Sequence, residues 1–394
     1  MTDQSVRFIK YYVYSLLSMK LSSTDNSNKE RICLHILSSR STSSNSIINS
    51  TEGELCTKYN TNAQFDKVLI IGLGQLGIPV ARYVSEKGFN TYGYDISHKA
   101  MERAEELAAV KKAINFSEFD VYILCVSTHK SDDMFSPQID GLLSIVERIS
   151  REAKDGALVS IESTIPKGTS KEIFELLNHR LHVVHAPHRW YAAEEKEHGV
   201  NQLRVIGGVW DCCLKAGIQF YDARNKDTAN TTIGITNAIT SNSIDSNNNN
   251  YDDNYGNKNK NNQKSLGIPM HPVTEIEIAE ITKVVENAHR YLQIAFAEDL
   301  YLYCQANNIN FPELRDALNT KWNVNILEPR EGIGGHCLPK DTKMFLQSSN
   351  ERKSKILTAA MEVDEDYRRF RTKLEKQINS PIVDDNTTRK RYLR

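Results

Sequence analysis

The sequence has no Cys-x-x-Cys pair, no long uncharged apolar run and no excess of either charge sign, and each lack removes a class of protein. Its cysteines, Cys33, Cys56, Cys125, Cys212, Cys213, Cys304 and Cys337, follow no regular framework. That usage suits a reducing cytoplasm and argues against a disulfide scaffold or a structural zinc site, so no metal is expected. No apolar run is long enough to span a bilayer. Residues 8–18 come nearest to a targeting signal, but Lys10 interrupts them and no clean small-residue cleavage site follows. Met19 stands as an alternative start. A formal net charge of -1 provides no global field for nucleic acid or an anionic membrane, and neither is expected as a partner.

What is present falls into blocks. Residues 1–65 are rich in Ser, Asn and Thr with little periodicity, an extension without regular structure. Over 66–222, strand-like runs alternate with helical periods. The strands are expected at 67–71, 90–94, 121–126, 157–162, 182–185 and 203–206. The helices are expected at 78–87, 100–108, 139–152 and 170–178. Alternation of this kind predicts an α/β domain built on a doubly wound parallel sheet. Residues 223–266 are almost pure Asn, Asp, Lys, Ser and Thr, and cannot bury enough apolar surface to offset their ordering entropy. They read as a disordered insertion. A helical domain follows over 267–380, and 381–394 form a basic tail that ends Arg389-Lys-Arg-Tyr-Leu-Arg394.

The helical domain opens with the strongest helix in the chain. Thr274 and Glu277 have the spacing of a capping box. Ile278, Ile281, Val285, Ala288, Leu292 and Ala295 then recur at helical intervals to about Gln305. Lys283 and Asn287 are four apart and share one face.

Two motifs carry chemistry. The first is an apolar run entering Gly72-Leu73-Gly74-Gln75-Leu76-Gly77, with a helix leaving it. In that setting Gly72 turns sharply, Gly74 admits a pyrophosphate to the helix N-terminus, and Gly77 lets helix and strand pack closely. Asp95 ends the second strand, where a carboxylate hydrogen-bonds the ribose hydroxyls and favours NAD over NADP. Lys99 close by keeps NADP open. The second motif is Gly334-Gly335-His336-Cys337-Leu338-Pro339-Lys340-Asp341. A cysteine behind two glycines, with an ammonium near, suits a thiol nucleophile.

With these pieces, the chain resembles the nucleotide-sugar 6-dehydrogenases, the UDP-glucose/GDP-mannose dehydrogenase family. The matching segments are Gly72–Gly77 with Asp95, Cys125-Val-Ser-Thr128, and Glu162-Ser-Thr164-Ile-Pro-Lys-Gly-Thr169. Arg204-Val-Ile-Gly-Gly208, Glu280-Ile-Thr-Lys283-Val-Val-Glu-Asn287 and the cysteine loop complete the set. Val324-Asn-Ile-Leu-Glu-Pro329 looks most like the UDP-N-acetylmannosaminuronate branch. The resemblance implies a Rossmann-type sheet domain, then an all-helical domain that dimerises through the long helix 274–305. It also implies a cytoplasmic enzyme making a uronic acid for polysaccharide synthesis, by two NAD-dependent oxidations at C6 of the sugar.

By the same resemblance Cys337 is the nucleophile and Lys283 stabilises oxyanions. Asn287 hydrogen-bonds the same oxygen or its water, Asp341 orders water and the lysine, and Thr164 holds a water. Val126, Ser127, Thr128 and Ser163 fall on the cofactor, and Lys340 follows the loop towards the pyrophosphate. His188, Arg204, Gly334 and Gly335 fall on the substrate.

Two departures stand out. The family carries Pro-Glu after its fifth strand, and that glutamate serves thioester hydrolysis; here Pro187-His188 stands in its place. His188 as base, Glu194 or Glu195 in its stead, a reaction ending at the aldehyde, and a purely structural histidine all stay open. The family also continues into a third, nucleotide-binding domain, whereas this chain ends at Arg394. The expectation is a nucleotide held by a partner chain, by a shortened site, or not at all. A truncated NAD-binding paralogue and a two-electron 3-hydroxyacid-type dehydrogenase remain as other readings.

Overall fold

The computed structural model describes residues 64–108, 110–130, 132–133, 136–190, 199–222, 264–348 and 353–379. Residues 1–63, most of the Asn-rich segment, Glu194, Glu195 and the basic tail lie outside them.

The first part is a sheet flanked by helices. In chain order it runs β1 (Lys67–Ile71), α1 (Gly77–Glu86), β2 (Asn90–Tyr94), α2 (His98–Ala108), β3 (Lys111–Lys112) and β4 (Val121–Leu124). It continues α3 (Asp140–Glu152), β5 (Leu158–Ile161), α4 (Thr169–Leu176), β6 (His182–His185), β7 (Arg204–Gly208), α5 (Asp211–Tyr221) and β8 (Met270–Pro272). The spatial order is β3-β2-β1-β4-β5-β6-β7-β8. β4, β5 and β6 are buried along their whole length, as strands covered on both faces must be.

The sheet is not uniformly parallel, because β6 and β7 pair antiparallel while the other neighbours are parallel. Nor does it stop at residue 222. β8 pairs with β7 in the register Arg204↔Met270, so the chain returns to the sheet edge beyond the Asn-rich stretch before its helices begin.

The helical part comprises α6 (Ile276–Asn307), α7 (Phe311–Leu318), α8 (Cys337–Gln347) and α9 (Lys355–Asn379). The expected capping box does not form. α6 begins at Ile276 behind Glu275, with no side-chain cap, and Glu277 pairs instead with Lys171. Asn308 ends the helix in the left-handed conformation, φ 57°.

The face of α6 turned inward coincides only in part with the expected stripe, sharing Ala288 and Ala295 with it. Ile276, Ala279, Val284, Ala288, Tyr291 and Ala295 are buried, whereas Ile278 is 43% and Val285 38% exposed. The helix is apolar on two sides, and periodicity alone cannot tell which one meets its own domain. Tyr291, Ala295, Ile333 and Ala360 form a core between α6, α9 and the cysteine loop, with Leu292, Leu338 and Met361 against it. Large side chains buried in this way contribute roughly 1.5–3 kcal/mol each.

Glu280 ties the two parts together. From α6 its carboxylate accepts the backbone N–H groups of Gly168 at 2.6 Å and Ser170 at 2.8 Å, capping α4 from another element.

Candidate active site

The strand order reverses between β1 and β4, and the loops leaving both strands lie at one edge of the sheet. Such a switch point is where a doubly wound sheet opens a ligand crevice. Gly72 has φ +89°, and a Cβ there would lie 2.6 Å from the Cys125 carbonyl oxygen. A Cβ on Gly77 would come within 1.8 Å of the Gly72 oxygen, while one on Gly74 would meet nothing within 4 Å. Two glycines are therefore required by the protein's own packing, and the middle one faces open space beside the helix N-terminus. Leu73 is buried in the core, and its N–H donates to Asp95 Oδ2 at 2.7 Å. Gln75 is exposed and Leu76 half-buried at the same turn. The crevice fits a dinucleotide with its diphosphate at α1.

The loop after β4 meets the cysteine loop. Lys340, buried, donates to Thr128 Oγ1 at 3.3 Å and pairs with Asp341 at 2.8 Å. The Thr128 hydroxyl in turn donates to the Thr164 carbonyl at 2.8 Å. The rings of His129 and His336 lie 5.3 Å apart, and Ser127 hydrogen-bonds His129 at 2.8 Å. Ser163 spends its hydroxyl on the carbonyls of Leu124 and Val126, so it shapes this loop through the backbone. Asn287 Nδ2 donates to Asp341 Oδ2 at 2.5 Å, which fixes the α6 residue against α8.

Cys337 is the first residue of α8 and is exposed, with His336 Nε2 3.6 Å from its sulfur. Desolvation by the surrounding protein raises its pKa, and the Asp341 carboxylate adds to this; Lys340 and Lys283 pull it down without cancelling the rise. The free thiol is therefore protonated at neutral pH, although the helix N-terminus provides a field that favours sulfur anion as it forms. Lys283 is half-buried, and its ammonium has no hydrogen-bond partner among the described residues. Gly334 and Gly335 are exposed, and a Cβ on either would meet nothing within 4 Å, so the loop's open side is free for a ligand.

Behind the sheet edge lies a buried polar cluster. Glu162 Oε1 accepts from Arg204 Nη1 at 3.1 Å and from the Tyr221 hydroxyl, and its Oε2 faces His188 Nε2. Tyr221 also hydrogen-bonds Ser160 at 2.7 Å. Burial opposes a charge on Glu162, but His188 and Arg204 outweigh it and hold the carboxyl well below the usual range. Burial, and then Arg204, push His188 below its ordinary value, so its ring is neutral. Arg204, expected at the substrate, is 1% exposed and committed to Glu162 and the Val200 carbonyl. Its role is that of a buried counter-ion.

Residues 102–224 match the model of the UDP-glucose/GDP-mannose dehydrogenase family, NAD binding domain, and residues 277–366 match the central domain of the same family. The chain belongs to the UDP-glucose/GDP-mannose dehydrogenase family. Among its relatives is a UDP-N-acetyl-D-mannosamine dehydrogenase of Methanococcus maripaludis strain S2, 28% identical over 76% of this chain. The chain spans 65% of that relative's length. The solved UDP-D-ManNAc dehydrogenase of Pyrococcus horikoshii shares the fold at TM-score 0.60 and 23% identity, over 79% of this chain and 71% of that one. A 3-hydroxyisobutyrate dehydrogenase of Mycobacterium tuberculosis shares it at TM-score 0.51 and 14% identity, over 78% of this chain and 94% of that one.

Within this family architecture, the structure brings Thr128, Thr164, Lys340, Asp341 and Asn287 into one connected set beside Cys337. Sequence reasoning missed the clamp on the cysteine loop from α9. Asp364 accepts the Ile333 N–H at 2.8 Å, Arg368 donates to the Ile333 carbonyl at 2.5 Å, and Tyr367 donates to the Arg330 carbonyl at 2.8 Å. The signal available was the spacing of Asp364, Tyr367 and Arg368 on one helical face.

Proposed function

We propose that the protein oxidises the C6 hydroxyl of a nucleotide sugar, of the UDP-N-acetylmannosamine or UDP-glucose type, to a uronic acid with NAD. The oxidation passes through an aldehyde and a thioester on Cys337. The observation that carries this reading is the accessible Cys337 thiol at the start of α8, electrostatically coupled to Lys283 and adjoining the Asn287–Asp341 pair. A two-electron alcohol dehydrogenase has no need of that thiol.

The Gly72–Gly77 turn would hold NAD, which would supply the hydride acceptor for both oxidations. Lys283, with no hydrogen-bond partner among the described residues, places a positive charge where the alkoxide and then the thiohemiacetal oxyanion develop. Asn287, held by Asp341, presents its amide to the same oxygen or its water. Cys337 adds through sulfur to the aldehyde carbon, and His336, 3.6 Å away, is the nearest group to take the thiol proton. Lys340 and Thr128 lock the two loops so that cofactor and thiol face one carbon.

The exposed side of α6 supports a homodimer through this helix. Ile278, Ile281 and Val285 line a groove of about 750 Å³ together with Thr282 and His289. A partner helix would cover the apolar stripe that this chain leaves open.

The test is incubation with NAD and a panel of UDP- and GDP-sugars, with the products identified by mass spectrometry. A C6 carboxylate from one sugar, absent with Cys337→Ser, is the expected result. A C6 carboxylate still formed by Cys337→Ser would overturn the thioester route.

A further inference from the structure

A second group of side chains with metal-binding chemistry lies at the opposite edge of the sheet from the candidate active site. β1, β4, β5 and β6 run parallel, so the loops leaving them gather at one edge and their first residues stand at the other. His182 is the first residue of β6, and Cys212 and Cys213 are the second and third residues of α5. A ring nitrogen of His182 and the two Sγ atoms all lie within 4.8 Å of one another. Among the described residues, no other three His, Cys, Asp or Glu side chains come together in this way.

All three side chains are buried, His182 at 3%, Cys212 at 4% and Cys213 at 0% exposure. His182 Nδ1 is sealed from solvent and makes no hydrogen bond among the described residues. An imidazole nitrogen buried in this way forfeits its hydration, and a ligand that takes up a ring lone pair offsets the loss. The two cysteines occupy the first turn of an 11-residue helix, where unpaired N–H groups favour the thiolate form that a metal requires. The start of that helix is anchored to the strand that carries the histidine. Val209 donates its N–H to the Val183 carbonyl at 3.1 Å, and Trp210 packs edge-on against Phe174 with ring centroids 4.7 Å apart. The three ligands are thus held near one another by backbone and core contacts of their own elements.

Two sulfurs and one imidazole nitrogen form a soft donor set, which selects thiophilic ions. A structural zinc ion takes four protein ligands, whereas Cu(I) is satisfied by three. With bonds of about 2.3 Å to sulfur and about 2.0 Å to nitrogen, the donor atoms would stand about 4 Å apart. The group therefore needs to close by about 1 Å at most. Adjacent cysteines lack the Cys-x-x-Cys spacing, and His182 stands thirty residues before Cys212, so only the fold brings this set together.

We propose that His182, Cys212 and Cys213 bind one Cu(I) ion, through an imidazole nitrogen and two sulfurs, as a staple between β6 and α5. Binding breaks both S–H bonds. The electron pairs left on sulfur form the metal bonds, and two protons pass to solvent. The ion keeps its oxidation state throughout. Its place at the far edge of the sheet separates it from Cys337 and from the glycine turn, so this inference is independent of the dehydrogenase reading.

The experiment titrates the purified full chain with Cu(I) under argon, in competition with the chromophoric chelator bicinchoninate. Cys337→Ser is the reference protein, so that the exposed thiol contributes nothing. The expected result is one Cu(I) retained per chain, with two sulfur neighbours and one nitrogen in X-ray absorption and a raised unfolding temperature. Cys212→Ala in the same background should weaken retention by about 10²-fold or more. His182→Phe, which fills the same space without a lone pair, should do likewise and covers the case in which the cysteine variant fails to fold. Both should bind NAD as the reference does, which shows that each is folded. No Cu(I) retained by the reference protein, or retention unchanged in either folded variant, overturns the site. Neither readout requires a sugar to be oxidised, so the result stands apart from the test of the dehydrogenase reading.

Discussion

Cys337, Lys283, Asn287 and Asp341 come from two stretches about fifty residues apart, and they meet because α8 lies along α6. Lys283→Ala should lower kcat by about 10²–10³-fold with little change in KM, since its charge acts on an oxyanion absent from the bound alcohol. Steady-state kinetics on the responding sugar checks this, and an equal loss confined to KM would assign Lys283 to binding. Cys337 starts from a raised pKa, so the rate of sulfur addition should climb with pH through and above neutrality. These residues were legible in the sequence because their types are unusual together: a thiol after two glycines, a lysine and an amide one turn apart. Arg204 was misplaced for a reason just as physical. A lone cation at a strand start gives no sign of its burial, and only the fold reveals Glu162 and Tyr221 around it.

At the scale of elements, the clearest dependence is that of α4 on α6. Glu280→Ala would leave the N–H groups of Gly168 and Ser170 without their acceptor, at about 1–3 kcal/mol each. Thermal or urea unfolding should register that loss. α6 also carries Glu298, fully buried, with neither carboxylate oxygen hydrogen-bonded among the described residues. Burial first, then the Asp364 carboxylate, raise its pKa to about 8 against the lowering effect of Arg368. The folded state therefore holds a proton that the unfolded chain gives up near its ordinary value of 4.5. The contribution of this group is full below pH 4.5 and lost as pH rises through about 8, on the order of 5 kcal/mol across the window. Glu298→Gln should flatten the fall in stability measured between those two values, and an unchanged slope would assign it to another group.

Most elements were legible as well. β1, β2 and β6 stand where the apolar runs placed them. β3 and β8, two and three residues long, are too short for any period to register, and only neighbouring strands define them. The capping box at Thr274 failed because Glu277 is drawn to Lys171.

For the whole molecule, the sheet carries a crevice at its strand reversal and the helical part swings a cysteine loop to the same edge. Contacts between Lys340 and Thr128, and between His336 and His129, join them. The two-sided apolarity of α6 carries a prediction at this scale. Ile278→Asp combined with Val285→Asp should convert a dimer to a monomer in sedimentation velocity. A wild type that sediments as a monomer would remove the dimer proposal. This architecture was readable from the strand and helix periods, whereas which face of α6 packs inward was not, since both faces carry apolar residues.

The most direct test of the account is the count of NADH formed per sugar consumed by the wild-type protein. Two per sugar is the predicted value, for alcohol to aldehyde and thiohemiacetal to thioester. One per sugar, with aldehyde as the end product, would contradict the covalent role of Cys337 on which the account rests.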